Sequence, residues 1–393
     1  MKNAVVYIDY NFQNPKYRNR PEDGEAYFTY GFGSLYARKF KEEFPDWEVQ
    51  CWKADKHAGK IESFEKQGVK HIVFPATRLS RAGYFSASLQ RHARKFIKNH
   101  PRAAFNISSF DHLLHFQISR FGKKCPVFVQ HHGESPARYK IKNSSGFKNI
   151  YWRFWSFIED KAFARTSMLY LLDLDASRHL KLTKTDFKIS TTGVDPELFK
   201  PIEKKDARKR LGLNENSKFL LFIGRLNLSK RADMLISAFL KLKLEFPELV
   251  LLIGGCQSSD ALYEMARNSG AIVTGTIPQH EVSVWLSAAD VYSLPLLDQA
   301  HIYGGIGMLP VQALFCNTPV VGSTLKCFPD DSKDQVGVFS NSEDTLVIAL
   351  RDILSGKKGF SNIRDLALNH FSWSSISRKT ARDYINAIDS LCR

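Results

Sequence analysis

Residues 218–230, KFLLFIGRLNLSK, decide the fold prediction. An apolar run of strand length ends at Gly224-Arg225, and Lys230 stands five residues after Arg225. A short apolar run bounded by a glycine turn is typical of a buried strand in a parallel sheet. Arg225 offers a planar fork of donors and Lys230 a point charge, a pair that can hold a pyrophosphate without a metal ion. The spacing alone fits a strand end followed by surface cations equally well, and both interpretations stay open here.

The alternation of strand and helix patterns extends over the whole chain. Apolar runs predict strands at 5–10, 47–52, 68–75, 103–108, 125–130, 167–173 and 186–192, and again at 249–254, 271–274, 290–294 and 319–321. Helix patterns separate most of them; 55–67 is polar and helix-compatible, and 201–209 is a charged linker that begins with proline. Such alternation predicts an α/β fold with parallel sheets covered on both faces. Because a single core stops growing near ~250–300 residues, the 393 residues predict two Rossmann-like domains facing a central cleft.

The positive charge is concentrated in the first half of the chain. Residues 1–200 hold 34 Lys and Arg against 20 Asp and Glu, and within 66–150 the count is 16 against two. A field of this sign attracts anionic membranes, nucleic acid or anionic substrates, although an ordinary solvated basic surface has the same composition. The sequence carries no single-strand-binding module or recognition-helix motif, so nucleic acid is not expected as a partner.

The composition also predicts a cytoplasmic protein. The six cysteines are scattered without C-x-x-C or zinc spacing, as expected of free thiols in a reducing compartment. The start MKNAVVYIDY reads as a first strand rather than a signal peptide. Residues 139–157, rich in Lys, Arg, Tyr, Trp and Phe, fit either an amphipathic element at the inner face of a membrane or a helix packing its aromatic residues inward.

Two further segments have the form of ligand-binding loops. Residues 131–133 (HHG) directly follow strand 125–130, and ligands of open α/β sheets bind beyond the carboxyl ends of the strands. Residues 304–307 (GGIG) precede a helix, whose N-terminal amides can bind an anion. A glycine loop alone is a weak signal, but this one recurs in the same domain as the two cations. The D-x-D sequence at 173–175 is interpreted as a strand end, and no metal site is expected.

Four motifs together resemble one family, the GT-B glycosyltransferases. They are GRLNLSK at 224–230, TGVD at 192–195 with Phe199 and Pro201, GMLPVQALFCNTPVV at 307–321, and FSW at 371–373. They resemble the family's G-R-L-x-x-x-K, N-G-V-D-x-x-x-F-x-P, G-L-P-x-x-E-A-M-A-C-G-T-P-V-V and F-S-W motifs. The chain is thus similar to the large retaining group, glycosyl transferases group 1, which transfers sugars from nucleotide diphosphates in glycan and glycolipid assembly.

The resemblance implies a division into two domains. Residues 1–200, completed by a C-terminal helix at 372–393, would form the acceptor-side domain, and residues 201–371 the donor-binding domain. The catalytic residues would be His132, Arg225 and Lys230, with His132 facing the donor sugar. No cofactor is implied, since the nucleotide-diphosphate sugar is the donor substrate.

The resemblance also implies a donor site. Its residues would be Gly31, Gly33, Gly224, Arg225, Lys230, Thr276, Ile277, Asp298, Gly304, Gly305, Ile306, Gly307 and Gln312. The two cations would hold the diphosphate and the turn at 31–33 would close over the β-phosphate. The loop at 276–277 would lie against the base, and the amides of 305–307 would face the phosphate or sugar.

One departure from the family pattern concerns the sugar end of the donor. The family places two glutamates eight residues apart where this chain has Gly304 and Gln312. Gln312 can still hydrogen-bond a ribose hydroxyl, but Gly304 cannot replace a carboxylate. Asp298, His301 and Tyr303 in the preceding stretch are candidates to substitute, with Asp298 the strongest.

The expected reaction is sugar transfer to a glycan or lipid-linked acceptor, with retention and without a metal. Cations and amides would stabilise the leaving diphosphate, and retention needs no protein base; under inversion, His132 or Asp111 would be the base. The missing glutamates leave a second reading open, a catalytically silent partner or glycan-binding subunit. The basic first domain predicts peripheral contact with an anionic membrane.

Overall fold

The computed structural model describes residues 2–10, 32–80, 83–110, 113–178, 180–182, 185–296 and 306–391. The chain divides into two units, which we call the N-terminal unit (Met1–Ser190 with Ile376–Arg393) and the C-terminal unit (Thr191–Ser375). The sequence predicts the two boundaries at 200/201 and 371/372, and the assignment of the units to an acceptor side and a donor side stays a prediction.

The N-terminal unit is built on one large sheet. Its strands are β1 (Ala4–Tyr10), β2 (Glu48–Asp55), β3 (Glu62–Lys66), β4 (Val69–Pro75), β5 (Thr77–Ser80), β6 (Gly83–Phe85), β7 (Ala103–Ser108), β8 (Val127–Gln130), β9 (Met168–Leu171) and β10 (Asp186–Ile189). Its helices before residue 190 are α1 (Phe32–Glu43), α2 (Ala87–Asn99), α3 (Leu113–Ser119), α4 (Ala137–Lys142), α5 (Gly146–Phe163) and α6 (Leu174–Ser177). Eight of the described strands pair in the order β10-β9-β8-β7-β1-β2-β4-β3, and β5 pairs with β6 in a separate hairpin.

The sheet is parallel except at one edge, and its central strands are buried along their whole length. Every residue of β7 and β8 is buried, as expected of strands covered on both faces. The exception is the edge strand β3, which runs antiparallel to β4.

The segment 55–67 was wrongly assigned as helix-compatible, since it contains β3. Glu62–Lys66 is polar and mostly exposed, so no apolar run identifies it as a strand. Pairing with β4 fixes the conformation, and Phe64 stacks on His71 with ring centroids 5.0 Å apart. Tertiary pairing here overrides the local pattern.

The C-terminal unit contains a second parallel sheet. Its strands are β11 (Lys218–Ile223), β12 (Leu249–Gly254), β13 (Ile272–Val273), β14 (Val291–Ser293), β15 (Val320–Val321) and β16 (Gly337–Val338). Its helices are α7 (Lys204–Arg210), α8 (Ala232–Glu245), α9 (Tyr263–Asn268), α10 (Val282–Ala288), α11 (Met308–Phe315), α12 (Glu343–Leu354) and α13 (Ile363–Phe371), and α14 (Trp373–Leu391) follows. The described strands pair in the order β13-β12-β11-β14-β15-β16, all parallel.

Helix α7 replaces most of the charged linker predicted at 201–209. Arg208 on this helix is buried and donates to Asp290 at 2.8 Å and to the carbonyl oxygen of Glu215 at 2.7 Å. A buried guanidinium with these partners ties the segment to the C-terminal unit, so the segment is a structural part of that unit rather than a linker.

Helix α14 packs into the N-terminal unit, although the whole C-terminal unit lies between this helix and the rest of the N-terminal unit in the sequence. Tyr384 is fully buried there and accepts a hydrogen bond from the Asn106 side chain at 2.6 Å. Asp383 accepts from the Tyr170 hydroxyl at 3.0 Å and pairs with Lys188 at 2.5 Å. These contacts make the last helix part of the core of the N-terminal unit.

The TGVD segment at 192–195 and the FSW segment at 371–373 contact each other where helix α14 begins. A Cβ added to Gly193 would lie 2.4 Å from the indole ring of Trp373, so only glycine fits under this ring. Val194 also donates its amide to the carbonyl oxygen of Phe371 at 2.8 Å. The TGVD and FSW segments therefore form one packed junction within the C-terminal unit.

Candidate functional site

The turn that follows β11 is shaped by Gly224. Its φ of 150° lies outside the range that side chains favour, and its amide donates to the carbonyl oxygen of Gly254 at 2.8 Å. The Lys230 side chain folds back over this glycine, with its Nζ 3.6 Å from the point where a Cβ would be. The Lys230 ammonium therefore lies beside the carboxyl end of β11.

Arg225 is held by a carboxylate. Its Nε donates to Asp260 Oδ1 at 2.5 Å, while the other Asp260 oxygen accepts the amides of Leu226 at 3.1 Å and Gln257 at 3.0 Å. The Arg225 side chain remains 53% exposed, whereas that of Asp260 is 2% exposed. The guanidinium is therefore anchored at one edge, and its terminal nitrogens face solvent.

The charge of Asp260 is stabilised by these contacts. Burial alone raises its pKa, but hydrogen bonds from Gln257, Leu226 and Arg225 outweigh this effect and hold the pKa below the ordinary value. An ionised Asp260 fixes the Arg225 side chain and also closes the turn between β12 and α9. Sequence reasoning missed this residue, because an acid 35 positions away in a polar stretch gives no local signal.

Lys230 is the second cation of the turn. Its side chain is partly buried, and burial lowers its pKa. Among the described residues, no hydrogen-bond acceptor or carboxylate contacts its Nζ. A bound anion would supply the missing partner and restore the preference for the charged form.

Thr276 and Ile277 follow β13 on the same edge of the sheet. Thr276 is exposed and Ile277 is partly buried. A Cβ on Gly254 would lie 2.3 Å from Ile277 Cδ1, so Ile277 packs directly on the end of β12. The carboxyl ends of parallel strands meet at one edge, which places this loop beside the turn of Gly224.

The third part of the edge lies at the start of α11. Gly307, with φ of 79°, is the N-cap of this helix, and Ile306 before it is buried. Gln312 is partly exposed one turn into the helix. Ser323 and Thr324 hold the flanks of residues 297–305, since their hydroxyls donate to the carbonyl oxygens of Leu296 and Ile306.

Several predicted site residues lie outside the described part of the chain. They are Gly31, Asp111, Asp298, His301, Tyr303, Gly304 and Gly305. Of the predicted donor residues that are described, those of the C-terminal unit lie along the carboxyl edge of its sheet. Their roles in binding stay predictions.

In the N-terminal unit, helix α1 begins against the carboxyl end of β1. The Gly33 amide donates to the buried Asp9 carboxylate at 3.2 Å. A Cβ at Gly33 would lie 3.0 Å from Asp9 Cβ, so glycine permits this close approach. The start of α1 at Gly33 is thereby fixed at the carboxyl end of β1.

His131 and His132 follow β8 on this edge and differ in their surroundings. The fully buried His131 accepts a hydrogen bond from the Leu172 amide at Nδ1, and its Nε2 lies 3.0 Å from the carbonyl oxygen of Glu134; these contacts fix the orientation of the ring. His132 stacks on Phe32 with centroids 3.9 Å apart, and its Nε2 has no hydrogen-bond partner among the described residues.

The protonation of His132 limits what it can do. Burial and the neighbouring His131 lower its pKa to about 3. A neutral imidazole can exchange hydrogen bonds with a hydroxyl but is a weak base near neutral pH. The site therefore favours His132 as a hydrogen-bonding group over His132 as the general base of an inverting reaction.

Comparison with known sequences finds a family resemblance in the C-terminal unit. Residues 203–366 match the model of glycosyl transferases group 1. A D-inositol 3-phosphate glycosyltransferase 2 from Catenulispora acidiphila is 27% identical over 242 residues, 56% of each chain. A D-inositol 3-phosphate glycosyltransferase from Stackebrandtia nassauensis is 29% identical over 219 residues, 51% of this chain and 47% of the relative. The chain thus spans about half the length of the curated relatives it matches.

Solved structures share the fold over almost the whole chain. Sucrose-phosphate synthase from Thermosynechococcus elongatus superposes with a TM-score of 0.62 at 15% identity, covering 99% of this chain and 100% of that one. HepE from Anabaena in complex with UDP gives 0.64 at 13% identity, covering 97% and 99%. These likenesses confirm the predicted α/β fold class of the GT-B type.

Proposed function

We propose that this chain, whose residues 203–366 match the model of glycosyl transferases group 1, transfers a sugar from a nucleotide-diphosphate donor to a glycan or lipid-linked acceptor. The observation that carries the proposal is the turn after β11. There the anchored Arg225 and the partly buried Lys230 present two cations at one strand end. Two fixed cations at this spacing suit the two charges of a diphosphate.

The proposed chemistry depends on stabilising the leaving group. As the bond to the sugar breaks, negative charge grows on the diphosphate, and the guanidinium of Arg225 and the ammonium of Lys230 are positioned to interact with it. Asp260 holds Arg225 in place beforehand, which reduces the reorganisation needed during the reaction. This arrangement supports a metal-independent reaction.

Retention of configuration is the proposed stereochemical course. In that course the leaving phosphate takes the proton of the acceptor hydroxyl, so no protein base is needed. The low pKa of His132, about 3, agrees with a role in hydrogen-bonding the sugar. Determining the anomeric configuration of the product by NMR tests this point, and an inverted product would contradict it.

The phosphate assignment is tested by nucleotide binding. Thermal shift and calorimetry against UDP, GDP, ADP and dTDP identify the base, and UDP comes first because HepE was solved with it. Arg225→Ala is expected to weaken binding of the preferred diphosphate ~10–100-fold, since a charge-assisted hydrogen bond contributes ~1.5–3 kcal/mol. Arg231→Ala is the matched control, because this arginine lies in the same turn but pairs with Asp233 at 3.4 Å. Unchanged affinity in Arg225→Ala would refute the assignment.

A second candidate function is a silent partner that binds a nucleotide or glycan without catalysis. It is favoured by Gly304 and Gln312, which stand where the family has two glutamates. Release of free nucleotide from a nucleotide-sugar separates the two functions. Turnover that is lost in Arg225→Ala supports the transferase, whereas binding without turnover against a panel of acceptors supports the silent partner.

A further inference from the structure

Helix α5 in the N-terminal unit displays a row of large apolar side chains to solvent. Phe147 is 90% exposed, Ile150 64%, and Phe154 and Phe157 60% each. Their spacing of three, four and three residues places all four on one face of the helix. We call this row the α5 stripe. Contiguous exposed apolar residues of this kind mark an interaction surface.

The opposite face of α5 is already used by the fold. Trp155, Glu159, Ala162 and Phe163 are buried there. The helix therefore has two apolar faces, one packed in the N-terminal unit and one turned outward. The core accounts for the first face only, so the exposed stripe is not a by-product of packing.

Basic side chains flank the stripe. Between Glu134 and Glu159 the sequence contains five Lys and Arg and no acid. Lys148 and Arg153 are exposed on α5 itself. Lys161 lies over the Phe157 ring at 5.4 Å, an arrangement in which the stem covers apolar surface while the ammonium stays in water.

The two acids of α5 do not offset this charge. Glu159 is buried and accepts the amide of Ala137 at 3.0 Å. Asp160 is paired with Arg138 at 2.6 Å. The face that carries the stripe is therefore both apolar and positively charged.

We propose that the α5 stripe inserts into the surface of an anionic lipid bilayer. Aromatic and aliphatic side chains can enter the boundary between headgroups and acyl chains while the flanking cations contact anionic headgroups. A second copy of the chain fits less well, because a symmetric contact would bring the same cations against one another. No helix of the described residues is long and apolar enough to cross a membrane, and the contact proposed here is confined to the surface.

The topology of the N-terminal sheet indicates which edge of the sheet the α5 stripe lies near. Strands β8 and β9 are parallel, so the chain leaves β8 at the carboxyl edge of the sheet and must return to the amino edge. Helix α5 makes this return, and its first turn, with Phe147, faces the edge that carries His131 and His132. Membrane contact at this end would leave that edge near the lipid surface. The inference goes beyond the proposed activity and does not depend on it.

The test is flotation of the full chain with vesicles at physiological salt. Wild-type protein is expected to bind vesicles containing one third phosphatidylglycerol at least tenfold better than pure phosphatidylcholine. The double variant Phe147→Ser/Phe154→Ser should lose at least tenfold of this binding. Because both side chains are mostly exposed, the variant should keep the circular dichroism spectrum and melting temperature of the wild type.

Matched control variants distinguish vesicle binding by the α5 stripe from the effects of exposed apolar residues or charges in general. Leu240→Ser/Leu244→Ser removes two apolar side chains, 46% and 86% exposed on α8, and should leave vesicle binding unchanged. Lys148→Glu/Arg153→Glu should remove the preference for anionic vesicles. Arg225→Ala should lose nucleotide affinity but bind vesicles normally, so that failure of the proposed function and failure of this inference remain distinct.

Three results would overturn the inference. The first is wild-type protein that shows no preference for anionic vesicles. The second is a folded Phe147→Ser/Phe154→Ser variant that binds as well as wild type. The third is a Phe154-dependent dimer in light scattering together with absent vesicle binding, which would assign the stripe to a second copy of the chain.

Discussion

The two ends of the candidate donor site are built in different ways. The predicted phosphate end is a network of contacts. Arg225 pairs with Asp260, and Asp260 also accepts hydrogen bonds from two backbone amides. The Lys230 side chain folds over Gly224. The sugar end offers Gln312 and the start of α11, beside a stretch whose usual glutamate is replaced by Gly304. Under the proposed function, fixed charges would specify diphosphate binding, while the choice of sugar would come from other groups.

Removal of both cations is the strongest way to test the phosphate end. Arg225→Ala/Lys230→Ala should weaken binding of the preferred nucleoside diphosphate ~10²–10⁴-fold, since each charge-assisted contact contributes ~1.5–3 kcal/mol. Affinity for the nucleoside without phosphates should change little. Calorimetry measures the affinity for the nucleoside diphosphate and the affinity for the nucleoside. Equal losses for nucleoside and diphosphate would show that the two cations do not act at the phosphates.

Asp260→Asn tests whether the network positions Arg225. We expect ~10-fold weaker diphosphate binding, because the amide keeps the shape but loses the charge that holds the guanidinium. Asp233→Asn is the matched control, since this acid pairs with Arg231 outside the predicted site. The same loss in both variants would mean a general electrostatic effect.

The loss of folded-state stability at acidic pH provides a second test with the Asp260→Asn variant. The pKa of Asp260 is lowered in the folded protein, so its stabilising contribution is present above the unfolded-state pKa and is lost as the pH falls through the folded-state value. The variant should therefore show a shallower loss of melting temperature below about pH 4. If the melting temperature of the variant falls below about pH 4 as steeply as that of the wild type, this would argue against a charge-dependent role of Asp260.

Gln312 tests the sugar end and should have a smaller effect. Gln312→Ala is expected to reduce kcat/KM ~3–10-fold through loss of one neutral hydrogen bond to the donor. Gln312→Glu, which restores the family's carboxylate, should raise donor affinity by a similar factor. Gln335→Ala, exposed in the same unit, is the control. A loss as large as that of Arg225→Ala would remove the distinction between the two ends.

The last prediction concerns the contribution of His132 to stability at acidic pH. Its folded-state pKa of about 3 lies below the ordinary 6.5, so lowering the pH from 6.5 towards 3 favours the unfolded state, which binds the extra proton. His132→Gln should flatten the fall in unfolding free energy over this range, where one such group contributes at most ~1.4 kcal/mol per pH unit. His71, whose pKa is lowered to about 4, will leave a residual slope. His280→Gln, 79% exposed, should leave the slope unchanged.

Sequence patterns predict the sheets better than they predict the site. Buried parallel strands such as β11 and β12 are almost continuous apolar runs, so composition identifies them. The polar edge strand β3 and helix α7 lack such a signal and depend on partners elsewhere in the chain. In the site, Arg225 and Lys230 are found because they lie close together in sequence. Asp260, which anchors Arg225, is 35 residues away and only the folded chain reveals it.

Helix α14 has a consequence for the order in which the chain is made. The N-terminal unit buries Ala381, Tyr384 and Ile388 of this helix, so its core stays incomplete until these residues have been translated. At ~5–20 residues per second, the ribosome needs about ten seconds or more to travel from residue 190 to residue 391. The C-terminal unit, continuous from 191 to 375, can close first. The N-terminal unit, which begins earlier in the sequence than the C-terminal unit, is therefore completed after it.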